Sequence, residues 1–228
     1  MTPPLPPPTE LRPTAAMVAY PGMTMLDMIG PYDTWRELLD LHLVASTEEV
    51  RSDSNFTFRA THTFDEALAD YDVLFMPGGL GTGDAMLDPK LIEFVADRGQ
   101  RARYVTSVCT GALVLGAAGL LRGYRATSHW AAMDSLPSFG AVPTEGRVVV
   151  DRNRITAGGI TAGIDFGLTL LAEMFDEQAA RLTQLIMEYD PDPPFDSGTP
   201  RTASQEHIEF VRQFVGPLNE QVTAMRSR

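Results

Sequence analysis

Two short apolar runs and one run rich in β-branched residues in this 228-residue chain each stop at a turn bearing glycine or cysteine, and that repetition constrains the fold more than any other feature. Ala15 to Tyr20 stops at Pro21-Gly22, Tyr71 to Met76 at Pro77-Gly78-Gly79, and Arg103 to Val108 at Cys109-Thr110-Gly111. Runs of this length, closed by turn formers, read as strands buried on both faces. Helical patterns lie between them. Thr24 reads as the N-cap of an amphipathic helix toward Leu39, with Pro31 expected to kink or divide it. Lys90 to Gly99 and Ala112 to Ala118 carry the others. Strands alternating with helices predict an α/β domain, a mostly parallel sheet with helices on both faces.

His42 to Ser46 reads as a further strand, and Asn55 to Ala60 as one at or near a sheet edge. Val148 to Val150 and Ile155-Thr156 form a hairpin pattern around Arg152-Asn153. Gly158 to Gly163 is a glycine-rich entry into a long helix through Phe175, and Asp176 caps another toward Glu188. Pro191 to Pro200 is irregular, and Ser204 to Met225 returns to helical period. The expected organisation is a disordered proline-rich arm (1–13), one domain (14–200) and a helical extension (201–228) that packs on the domain or on a partner subunit.

The apolar share is 44% and the charged share 21%, as in ordinary globular proteins, and the formal net charge of −12 would repel nucleic-acid phosphates. The single cysteine excludes an internal disulfide framework and a cysteine-rich zinc site. His42, His62, His129 and His207 are scattered without a close pair, so no metal is expected. The first residues lack a secretion-signal pattern, and no apolar run approaches the roughly 20 residues that span a bilayer. A reducing, cytoplasmic setting without membrane contact is the expectation.

Cys109 is the most informative residue. A side chain at a strand end and a helix start projects from a tight turn, where the helix dipole favours thiolate and the following N–H groups can meet a developing anion. The bland alternative is a small buried hydrophobe. The Gly78-Gly79 loop lacks a Gly-Lys-Ser/Thr ending, so its glycines serve close backbone approach to the cysteine and an oxyanion-type donor better than phosphate binding. Asp27 follows its strand by a few residues and could share a sheet edge with Cys109. Beside a thiolate its pKa would rise, letting it hold and deliver a proton.

The run from Arg103 through Cys109-Thr110-Gly111 to Leu121 resembles the nucleophile segment of the DJ-1/PfpI superfamily, and within it the bacterial isocyanide hydratases. The resemblance continues through Leu26 to Asp33, Met76 to Gly79, Ala126 to Trp130 and Ala157 to Phe166. It implies a flavodoxin-like sandwich, a homodimer, and hydration of a small organic isocyanide without a cofactor. It also implies roles. Cys109 would be the nucleophile, and Asp27 its acidic partner where many relatives carry glutamate. Gly79 and Thr110 would offer backbone N–H groups to an intermediate, and the loop with Gly159 and Ile160 would lie beside the sulfur. His129-Trp130 would shape the region near the site; His129 reads as structural before it reads as a general base. In PfpI-type proteases a histidine follows the cysteine directly, whereas Thr110 stands here, which argues against peptidase activity. Cofactor-free glyoxalase activity and a non-enzymatic cysteine-based redox or ligand sensor are the alternatives.

Overall fold

The computed structural model describes residues 12–225, so most of the proline-rich arm expected at 1–13 lies outside the described residues. The strands are β1 (Thr14–Val18), β2 (Asp40–Ala45), β3 (Glu49–Arg51), β4 (Thr57–Arg59), β5 (His62–Thr63), β6 (Val73–Met76), β7 (Tyr104–Val108), β8 (Arg125–Ala126), β9 (Val142–Pro143), β10 (Val148–Asp151) and β11 (Arg154–Ala157). The helices are α1 (Met25–Trp35), α2 (Thr82–Leu87), α3 (Pro89–Arg101), α4 (Gly111–Ala117), α5 (Ala162–Met174), α6 (Glu177–Ile186) and α7 (Gln205–Met225), with a 3₁₀ segment over Trp130–Phe139.

The seven-stranded sheet runs β10-β11-β7-β6-β1-β2-β5. Its pairings are parallel except for the β10–β11 hairpin. This is the flavodoxin-like α/β arrangement the sequence predicts. Strand order reverses between β1 and β6, and a doubly wound sheet opens its binding crevice at the carboxyl ends of strands beside such a reversal. The buried strands read as the sequence required: Val73 to Met76 and Val105 to Val108 are inaccessible throughout.

Helices α1 and α5 pack together, as do α2, α3 and α4. Trp35 anchors the first group. Its ring stands edge-on to Phe75 and Phe166 with centroids 5.6 and 5.3 Å away, and its indole N–H donates to the Gly167 carbonyl at 3.0 Å. The buried indole therefore leaves no polar atom unpaired.

Some expectations shift. Helix α1 stops at Trp35, four residues before Leu39, because Leu38 and Leu39 both donate their N–H to the Trp35 carbonyl in a turn that feeds β2. Pro31 lies within α1 without ending it. The strand expected at Asn55 to Ala60 does not reach the main sheet; β4 pairs only with β3 in a separate ribbon. Helix α7 packs mainly on the 3₁₀ segment and on α2. It buries Ile208 and Val222, and Asn219 accepts from Ser135 Oγ at 2.7 Å and donates to the Ala131 carbonyl at 3.0 Å. Among the described residues no helix is long and apolar enough to cross a membrane.

Candidate active site

Four adjacent strand ends converge on one place. The turn after β1 is laced to the loop after β6: Thr24 N–H donates to the Gly78 carbonyl at 2.8 Å, and Met23 bridges Gly79. That lacing places α1, and Asp27 in its first turn, against the glycine loop. From the other side, the Cys109 N–H donates to the carbonyls of Ala157 and Gly158 at 3.1 and 2.8 Å, tying the end of β7 to the loop after β11.

Cys109 itself sits at φ 57°, a left-handed conformation that costs a non-glycine residue on the order of 1–2 kcal/mol. The strain sits at the turn between strand and helix, the same device as a nucleophile elbow. The nearby backbone N–H groups of Ile160 and Thr110 favour thiolate, yet burial and the adjacent Asp27 outweigh them and raise the thiol pKa well above the usual range. The dipole argument from sequence therefore loses to desolvation: α4 is only seven residues long, and the sulfur is shut away from water.

Asp27 has no exposed surface. Its Oδ2 accepts the Gly78 N–H at 2.8 Å, while Oδ1 has no hydrogen-bond partner among the described residues. Burial raises its pKa to about 7, the Gly78 N–H and the neighbouring Cys109 side chain pull it partly down, and Asp53 pushes it up. The direction matches the sequence expectation, but the main cause is burial and not a neighbouring negative charge. The thiol is near enough to tune the carboxyl, although Oδ1 is still left unpaired in this conformation.

The glycines divide their roles differently from the sequence expectation. Gly78 spends its N–H on Asp27, and Gly79 donates its N–H to Thr110 Oγ1 at 3.0 Å, so neither amide is free for an intermediate. The backbone groups that favour a charged sulfur are the N–H groups of Ile160 and Thr110. Gly78 is still required sterically, since a Cβ there would lie 2.5 Å from the Thr110 nitrogen and 2.9 Å from the Cys109 Cβ.

His129 caps the 3₁₀ segment, accepting the Ala131 N–H on Nδ1 at 3.3 Å, and burial lowers its pKa. Its ring packs on Gly159, where a Cβ would meet Cδ2 at 2.8 Å. It touches the loop beside Cys109 and makes no hydrogen bond to the sulfur. Trp130 lies further out, lining a cavity of about 90 Å³ with Ser197 to Pro200 and His207. A larger groove of about 410 Å³, bordered by Leu168, Glu177 and Arg181, contains none of the residues that contact Cys109. Sequence reasoning missed Thr82 and Tyr20, whose hydroxyls extend the network behind Thr110. It also missed Leu26 and Leu80, exposed apolar neighbours in sequence of Asp27 and Gly79.

The DJ-1/PfpI family matches this chain over residues 13–173. Isonitrile hydratase of Pseudomonas putida is 48% identical over 201 residues, covering 87% of this chain and 88% of that protein. The crystal structure of a THiJ/PfpI family protein from Pseudomonas syringae superposes with a TM-score of 0.93 at 44% identity, covering 100% of this chain and 98% of that one. A mutant of a DJ-1 superfamily protein from Salmonella typhimurium superposes at 0.71 with 28% identity, over 79% of this chain and 100% of that one. The fold, the convergence of strand ends on Cys109 and the extent of the family match place the chain in one group: it belongs to the DJ-1/PfpI family.

Proposed function

We propose that this protein is an isocyanide hydratase, converting an organic isocyanide and water to the N-substituted formamide with Cys109 as nucleophile. The observation that carries the chemistry is the pairing of a buried thiol with a buried carboxyl whose pKa is about 7. Near neutrality Asp27 is split between its two protonation states, so it can take a proton and return it. The similarity to the Pseudomonas putida enzyme supplies the substrate class.

In this reading Asp27 carboxylate takes the Cys109 proton, and the thiolate adds to the terminal isocyanide carbon. Asp27 returns the proton to that carbon, leaving a thioimidate, R–N=CH–S. Asp27, again ionised, then removes a proton from a water that attacks the same carbon. Collapse of the adduct breaks the C–S bond, the nitrogen takes one proton and the sulfur recovers the other, and R–NH–CHO leaves. Covalent catalysis divides one hard hydration into two easier steps. The N–H groups of Thr110 and Ile160 hold charge on the sulfur as it arrives and departs. Exposed Leu26, Leu80 and Ile160 flank the site in sequence and suit an apolar substituent. No step calls on a cofactor. A reducing, cytoplasmic setting that keeps the thiol intact and a homodimeric assembly complete the proposal.

Ultraviolet-monitored conversion of an aryl isocyanide, with Cys109→Ala and Asp27→Asn alongside, tests it. Formamide production that both substitutions abolish is the expected result. Wild-type protein that turns over none of several isocyanides sinks the assignment, and methylglyoxal is then the next substrate to try.

A further inference from the structure

We propose that Thr82 is a positioning residue that draws the Thr110 hydroxyl proton away from Cys109, and so sets how reactive the resting thiol is. The case is a count of protons. Thr110 Oγ1 accepts the Gly79 N–H at 3.0 Å and lies 2.7 Å from Thr82 Oγ1, a separation that requires one proton between the two oxygens. Thr82 Oγ1 also donates to the Gly79 carbonyl at 2.7 Å, and Tyr20 OH donates to the Pro77 carbonyl at 3.0 Å, a shorter contact than its 3.2 Å to Thr82. Each hydroxyl brings one proton. With the Thr82 proton on Gly79 and the Tyr20 proton on Pro77, the proton between the two threonines belongs to Thr110. The chain then runs outward, from Thr110 to Thr82 to the Gly79 carbonyl.

Thr110 and Thr82 are both buried, 6% and 0% exposed, so bulk water does not compete for these protons. Burial also raises the Tyr20 pKa, which keeps its hydroxyl a donor. Thr110 Oγ1 makes no hydrogen bond to the sulfur here, as the outward chain requires, yet it stands beside it: a Cβ on Gly78 would lie 2.6 Å from Thr110 Oγ1 and 2.9 Å from Cys109 Cβ, and the hydroxyl favours a thiolate. Removing Thr82 as acceptor leaves the sulfur as the remaining acceptor for that proton. The reverse chain, from Tyr20 to Thr82 to Thr110 to sulfur, makes the opposite claim: there Thr82 and Tyr20 promote the thiolate.

The inference concerns the same sulfur as the proposed hydration but is tested without an isocyanide, so failure of one is distinguishable from failure of the other. Cys109 is the single cysteine, which makes alkylation by iodoacetamide a residue-specific probe. At fixed neutral pH, Thr82→Val is expected to react about ten-fold faster than wild type, the equivalent of one hydrogen bond to a charged group. Thr82→Ser keeps a hydroxyl and returns to the wild-type rate, and Tyr20→Phe changes little. The double variant Thr82→Val/Thr110→Val loses the gain, which general loosening of the site would not. An unchanged or slower rate in Thr82→Val, a gain that survives in the double variant, or slowing in Tyr20→Phe overturns the proposal.

Discussion

Asp27 and Gly78 are 51 residues apart in sequence and joined by one 2.8 Å hydrogen bond from the Gly78 N–H to Oδ2. That bond fixes a fully buried carboxyl where the strand order reverses, and leaves Oδ1 unpaired in the space it shares with the Cys109 thiol. A buried, half-satisfied carboxyl is costly to the fold. It persists where a group must exchange protons near neutrality, and its cost should be measurable.

Asp27→Asn should show that cost as a function of pH. The folded-state pKa of about 7 stands above the ordinary aspartate value of 3.8. Between those values the folded protein holds a proton that the unfolded chain has released, so wild-type stability falls as pH rises through the window and levels off above it. The full effect is on the order of 4 kcal/mol at most. Asparagine does not titrate and still accepts the Gly78 N–H. The melting temperature of Asp27→Asn should therefore gain on wild type as pH rises from about 4 to about 7, by several degrees, while hydration is lost. A constant difference across the window would show that Asp27 is already ionised in the folded state.

Cys109→Gly should be more stable than Cys109→Ala, the reverse of the usual order. Alanine ordinarily gains about 0.5–1 kcal/mol over glycine in regular structure. At φ 57° the alanine Cβ is strained and glycine is not. Chemical denaturation of the two variants, both inactive, should separate them by about 1 kcal/mol in favour of glycine. Equal or inverted stabilities would mean that the turn relaxes once the sulfur is gone.

Asn219→Ala should lower stability by about 1–2 kcal/mol, because the Ser135 hydroxyl and the Ala131 carbonyl lose their shared partner at a partly buried contact. Thermal melts decide it. A change below about 0.5 kcal/mol, the level of an ordinary surface substitution, would show that α7 is held by its apolar contacts, Ile208 and Val222 with Val215, Leu218 and Met225.

What the sequence made legible follows from where its signals are strong. Strands buried on both faces favour short apolar or β-branched runs, so β1 and β6 are legible from the first and β7 from the second, and with them the turns bearing Gly78, Gly79 and Cys109. The alternation over Asn55 to Ala60 shows a strand at an edge but not its partner, which is β3 in a separate ribbon. The 3₁₀ segment after His129 has no period to detect, and short α2 was passed over with it. Thr82 was invisible for a different reason. A buried threonine has no residue pattern that distinguishes packing from hydrogen bonding, and its role appears only when Thr110, 28 residues away, is set beside it. The resemblance offers the Gly79 N–H to an intermediate, whereas in the folded chain it donates to Thr110 Oγ1, and the Gly78 N–H donates to Asp27.

The glycines around the site should separate into required and dispensable positions in a way their sequence spacing does not suggest. At Gly78 a Cβ would lie 2.5 and 2.6 Å from the nitrogen and Oγ1 of Thr110. Gly78→Ala must displace either the β6 loop, taking the bond to Asp27 with it, or the turn that holds Cys109. Overpacking of this kind costs about 1–3 kcal/mol, and turnover should fall at least ten-fold, since small misplacements of reacting groups are expensive. Gly158 sits in the glycine-rich run after β11, and its carbonyl accepts from the Cys109 N–H. A Cβ there would find its nearest neighbour, the Arg147 carbonyl, at 3.7 Å, which is ordinary contact. Gly158→Ala should fold with stability within about 0.5 kcal/mol of wild type and keep most of its activity. Its neighbour Gly159 should behave like Gly78, because a Cβ would press on the His129 ring. Melting curves and initial rates for the three alanine variants test the division: an inactive Gly158→Ala, or a fully active Gly78→Ala, would mean that the loops around Cys109 are held by contacts other than these.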